Sequence, residues 1–199
     1  MENDNKCITM YIVLTLVLLV LYPITLLVPK IAEAGYIYFI IPGTNVGISY
    51  VGFVVPLILS VYFTVQYLKS SERIPGKYII LMLSLLILIG ILSFFYPSLQ
   101  YPDGNGVHSN VYEFFALLFL LGFIAGKGYT RGAMMLAYPL AFLIGVITDI
   151  DSLAILKGTV VFGAEGFFDG DFLGPFLFFA LFYIVFFVDN IISKILKKI

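Results

Sequence analysis

Apolar stretches without a charged residue recur along this chain, beginning with Ile8 to Val28. Such stretches suffice to cross a hydrocarbon layer of about 30 Å at about 1.5 Å per helical residue. That feature decides the solvent. A chain of 199 residues that is 61% hydrophobic, 12% charged and of mean hydropathy +1.07 reads as one transmembrane domain over residues 1–199. The first stretch is longer than the apolar core of a signal peptide, about 7–15 residues, so it is expected to stay as a helix despite the cleavage-like Ala32-Glu33-Ala34.

The hydropathy pattern predicts an all-α integral membrane fold with about six spans, near 8–28, 50–68, 78–96, 111–126, 132–148 and 172–190. Lys and Arg alternate with the connections. With both termini cytoplasmic, Lys6, Lys69, Arg73, Lys77, Lys127, Arg131, Lys194, Lys197 and Lys198 fall inside, and only Lys30 and Lys157 fall outside. The expected location is therefore the cell membrane, multi-pass. The lipid bilayer is the first partner, and the lysines of the tail are placed to reach anionic headgroups.

Inner connections are short and carry breakers, as in Ile74-Pro75-Gly76 and Gly126-Lys127-Gly128. Outer ones are longer and apolar enough to be structured. Tyr36 to Ile41, a Pro42-Gly43 turn and Val46 to Ser49 predict a short β-hairpin, and Thr159-Val160-Val161-Phe162 has the same β character.

Along the fifth span Ala133, Ala137, Ala141 and Gly145 recur every four residues, a small-residue face on which a neighbouring helix can sit closely. One further step reaches Asp149. Its carboxylate is expected to close the fifth helix and point into the bundle, where an ionisable group needs a partner; the competing reading is hydration at headgroup level. Before the sixth span comes Gly163-Ala164-Glu165-Gly166-Phe167-Phe168-Asp169-Gly170-Asp171, so Asp149, Asp151, Glu165, Asp169 and Asp171 all lie on the outer side. Asp169 is expected to reach Asp149 across the mouth between the two spans. Asp171 is expected to cap the last helix, with Pro175 in its first turn.

Two carboxylates brought together share a proton or hold a cation, and an all-oxygen set of Asp149, Asp169 and Glu165 would suit a hard divalent ion such as Ca²⁺ or Mg²⁺. Asp103, His108 and Glu113 enter the same surface, and Asp103-Gly104-Asn105-Gly106 resembles a calcium loop without the full ligand spacing. Several classes are excluded. The single Cys7 and single His108 rule out a cysteine zinc site, an H-E-x-x-H protease and a bis-histidine haem within one chain. No G-x-S-x-G is present, and no basic patch for nucleic acid.

Gly52 with Val55-Pro56-Leu57-Ile58-Leu59-Ser60, Ala137-Tyr138-Pro139-Leu140 with Gly145 and Asp149, and Gly163 to Gly174 together resemble an uncharacterised family of prokaryotic multi-pass membrane proteins. The resemblance covers about a third of the chain. It implies an aspartate ending the fifth helix and a glycine-rich Phe-Asp-Gly before the sixth, matched by Asp149 and by Phe168-Asp169-Gly170; Asp151, Glu165 and Asp171 depart from it. It carries no known activity.

Function then stands as alternatives. One is an outer acidic site for a cation, a small ligand or a membrane-protein partner, in transport or regulation. Another is an aspartyl intramembrane protease with Asp149 and Asp169 as the catalytic pair, although Gly166-Phe167-Phe168-Asp169 is not the Gly-x-Gly-Asp of those enzymes. A third is a structural subunit without a site. Whether the chain is an enzyme stays open.

Overall fold

In the computed structural model the described residues are 9–20 except 11, 15, 18 and 19, then 37–95, 100–103, 106–109, 131–155, 158–164, 166 and 169–196. They are mostly helical, with a small sheet. Strands β1 (Tyr38–Ile40) and β2 (Val46–Ser49) form the expected hairpin, with Tyr38 opposite Ser49, and Gly43 turns it at φ +79°. Strand β5 (Val160–Phe162) then adds parallel to β2, pairing Val46 with Val160 and Ile48 with Phe162. Two outer loops expected to be structured are thus one three-stranded sheet, in the order β1-β2-β5.

From β2 the chain enters a π-helical turn, Tyr50–Val54, capped by the Ser49 hydroxyl, which accepts from the Gly52 amide at 3.0 Å. Helix α1 (Val55–Lys69) continues it. A turn at residues 70–75 leads into α2 (Gly76–Phe95), and a hairpin follows, β3 (Gln100–Asp103) with β4 (Gly106–Ser109). Asp103 and Gly106, the ends of the segment read as resembling a calcium loop, are register partners in this hairpin, and residues 104 and 105 lie outside the described residues. Helices α3 (Arg131–Ile155) and α4 (Gly170–Leu196) complete the bundle.

The spans expected at 50–68, 78–96, 132–148 and 172–190 each coincide with a helix. That at 111–126 lies outside the described residues, and of 8–28 only scattered positions are described, all helical. Two stretches, Tyr50–Lys69 and Gly132–Leu153, are long and apolar enough to cross a membrane. Two boundaries move in a way that matters. Helix α3 runs on to Ile155, so Asp149 sits inside it and does not close it; Asp149 to Leu153 contains no glycine or proline, and helical hydrogen bonding continues after hydropathy falls. Helix α4 begins at Gly170, so Pro175 lies in its second turn, not its first.

The centre of the bundle is α3, packed most extensively against α4 and α1. Ala133, Ala137, Ala141 and Gly145 are all buried on it, as a small-residue face requires. Tyr138 is fully enclosed between the Phe63 ring of α1 at 5.3 Å and the Phe176 ring of α4 at 5.1 Å, the latter edge-on. Helix α1 buries Pro56, Ser60, Phe63 and Tyr67, one stripe at helical spacing, while Ile58, Val61 and Leu68 on its other side are more than half exposed.

The bundle therefore has two ends. At one, the sheet meets the π-helical turn and the last turns of α3. At the other, the 70–75 turn meets the first residues of α3, the Glu72 carbonyl resting on Gly132 so closely that a Cβ there would overlap it.

Candidate functional site

Four acids come to the sheet end, on α3 and at the start of α4. Asp169 precedes α4, and its Oδ1 accepts from the Asp171 amide at 2.8 Å while its carbonyl accepts from the amides of Phe172 and Leu173. Asp169 is therefore the N-cap. This reverses the expected roles: Asp171, expected as the cap, stands two residues further in, within the first turn, with 1% of its surface exposed. The physical reason is the helix start at Gly170, which puts Asp169 at the last non-helical position and points Asp171 at α3.

There Asp171 lies over Gly145. A Cβ at that position would overlap the Asp171 carboxylate, so only glycine leaves it room. One helical turn beyond Gly145, Asp149 hydrogen-bonds through its carboxyl group to the carboxyl of Asp171. The other Asp149 contact reaches back to the sheet, where Oδ2 accepts from the Gly163 amide at 3.2 Å. Gly163 has φ +70°, and its backbone packs directly on Gly52 of the π-helical turn; a Cβ on either residue would strike the other's main chain. Phe53, from the same turn, stacks at 5.4 Å on Phe142 of α3 and at 5.5 Å on Phe162 of β5. The acid pair is thus built from three elements brought together by two glycine contacts.

The electrostatics follow from this enclosure. Asp169 lies within Coulombic range of both Asp149 and Asp171, so three carboxyl groups share one corner. Asp171 Oδ2 is buried and meets no N–H or O–H donor among the described residues. On α3, Thr148 donates to the Ile144 carbonyl at 3.1 Å and Ser152 to the Thr148 carbonyl at 3.0 Å. A hydrogen bond between two carboxyl groups needs one proton, because an ionised pair offers acceptors only.

Asp151 goes elsewhere. It lines a separate apolar groove of about 310 Å³ between α2 and α3, with Ile87, Gly90, Ile91, Phe95, Ile147 and Ile150, and is itself 6% exposed. Among the expected site residues, Asp149 and Asp169 come to the same corner, and Glu165 lies outside the described residues. So does Glu113, while Asp103 and His108 are placed in β3 and β4. Among the described residues no three His, Cys, Asp or Glu side chains are grouped so as to hold a metal ion.

Reading the sequence alone missed Gly145 as the seat of a carboxylate and the Gly52–Gly163 contact. The signal for the first was present: the small-residue face ends at Gly145, one turn before Asp149. Nothing local marks the second, which joins residues more than a hundred positions apart. No family model, no curated protein and no solved structure matches the chain, and the resemblance read from Gly163 to Gly174 gains no support from them.

Proposed function

We propose that the chain is a multi-pass membrane protein of about six spans, with both termini cytoplasmic, whose extracytoplasmic mouth binds a proton between Asp149 and Asp171. In that role it serves proton-linked transport or regulation. The single observation carrying the reading is the hydrogen-bonded carboxyl pair at Gly145, one member of which is wholly enclosed.

Support for the membrane comes from an inverted distribution of polarity. Ile58 of α1, Ile80 and Ile87 of α2, and Leu177 and Leu196 of α4 are each more than 60% exposed, whereas Asp151 and Asp171 are buried. A water-soluble bundle would bear a large apolar patch on every outer helix, and a bilayer gives that surface a matching solvent. Charge segregation supports the orientation: Lys69, Arg73, Lys77 and Arg131 lie at the end opposite Asp149 and Asp171.

Support for a proton over a metal ion comes from the hydrogen bonding. Asp169 already spends Oδ1 on the helix cap, and Asp149 spends Oδ2 on Gly163. The donor-less Oδ2 of Asp171 and the contact with Asp149 have one common resolution: Asp171 carries the proton and donates it to Asp149. The peptidase reading, which pairs Asp149 with Asp169, draws less support, since Asp169 Oδ1 is taken up by the Asp171 amide as the cap of α4.

Infrared spectroscopy on the purified protein at neutral pH tests the proposal. The expected outcome is a carbonyl band of a protonated carboxylic acid that disappears in Asp171→Asn and shifts in Asp149→Asn. A spectrum without such a band, or stabilisation of the wild type by Ca²⁺, Mg²⁺ or Mn²⁺ that both variants lose, would replace the proton with a metal.

A further inference from the structure

We infer that the turn between α1 and α2 is a binding surface for the phosphodiester of an anionic lipid, in the leaflet at the basic end of the bundle. The inference rests on the membrane reading above and is independent of the acid pair at the opposite end.

Lys69 at the end of α1, Arg73 in the turn and Lys77 at the start of α2 are all exposed. Its backbone is fixed from three directions. The Tyr67 hydroxyl, from a ring only 4% exposed, donates to the Ile74 carbonyl at 3.2 Å and accepts from the Ile74 amide at 3.0 Å. Ser70 Oγ accepts from the Glu72 amide at 3.1 Å, and the Glu72 carbonyl rests on Gly132 of α3. Lys77 Nζ stands 4.9 Å from the centroid of the Tyr78 ring, which holds that side chain against the helix. Three cations on a braced turn lose less conformational freedom on meeting a phosphate than three on a mobile loop.

The source of the phosphate is decided by what surrounds the cations. Leu68, Ile80 and Leu81 flank them and are at least half exposed, so a ligand here meets apolar surface beside positive charge. An anionic lipid satisfies both demands, and juxtamembrane basic residues attract such headgroups. Free phosphate satisfies only one. A zwitterionic headgroup brings its own cation, which the cluster repels.

The test uses the full chain in nanodiscs of phosphatidylcholine, with and without phosphatidylglycerol, and reads thermal stability together with lipid retained in native mass spectrometry. Phosphatidylglycerol should raise the Tm and remain bound. Lys69→Gln/Arg73→Gln/Lys77→Gln should retain roughly tenfold less of it, or lower still. Lys69→Arg/Lys77→Arg, which keeps the charge, should behave as wild type, and about 1 M salt should abolish the wild-type preference. Tyr67→Phe should weaken retention with every cation present. Equal behaviour of the wild type in the two lipids, a neutralised variant that keeps the preference, or the same Tm gain from inorganic phosphate in phosphatidylcholine would overturn the inference. A chain that stays folded and monodisperse in buffer without detergent or lipid would instead sink the membrane reading itself.

Discussion

At the sheet end of the bundle Asp171 is enclosed to 1% exposure and bonded to another carboxyl group, while at the opposite end Lys69, Arg73 and Lys77 all stand in the open. The contrast is one of what holds each charge in place. The acids are positioned by packing: Gly145 vacates the volume that Asp171 fills, and the Gly52–Gly163 contact carries the amide that Asp149 receives. The cations lie on and beside a turn braced by hydrogen bonds to its backbone, and their side chains are exposed. A substitution at the first end should therefore act through sterics and protonation. At the second it should act through charge alone.

The largest effect is expected where the contrast is strongest. Gly145→Val puts a branched side chain into the Asp171 carboxylate, and overpacking together with displacement of a buried polar group should cost about 3 kcal/mol or more. Reversible unfolding in micelles measures it; a loss below about 1 kcal/mol would mean that α4 can slide off the small-residue face.

Next comes pH. On the proposed reading the folded pair holds a proton that the two free carboxyls of an unfolded chain release at neutral pH, so stability should be greatest in acid and fall as pH rises. Asp171→Asn keeps the shape, supplies a permanent N–H donor and should flatten that dependence. If the variant and wild type fall in parallel between pH 5 and about pH 9, the proton resides elsewhere.

Smaller still is the cap. Asp169→Ala removes the side chain that receives the Asp171 amide and should cost about 1 kcal/mol, whereas Asp169→Ser, which still caps, should recover most of it. Failure of serine to rescue would assign Asp169 an electrostatic role beside the pair instead of a capping one. The least effect belongs to the basic end, where Lys69→Gln should change stability by no more than about 0.5 kcal/mol in a neutral lipid. A larger change there would erase the distinction between packed and open charge.

Parts of this were readable from the residues in order. The hairpin of Tyr38–Ile40 with Val46–Ser49 follows from β-prone residues flanking Pro42-Gly43, and the β character of Val160–Phe162 is equally local. The parallel pairing of β2 with β5 was not readable, because it joins residues that only the packing of α1 and α3 brings together. Asp149 could be found as the continuation of the Ala133–Gly145 face. Its partner could not: choosing Asp171 over Asp169 depends on where α4 begins, and hydropathy places that start two residues late.

What the residues alone determined is where the four helices α1 to α4 lie and the separation of acids from bases along the chain, since hydropathy, breakers and charge act over a few neighbouring positions. Only the tertiary structure decided which two carboxyls meet. That choice turns on the rotation of α4 about its axis and on a gap the size of one missing Cβ at Gly145, and neither quantity is expressed by any local stretch of sequence.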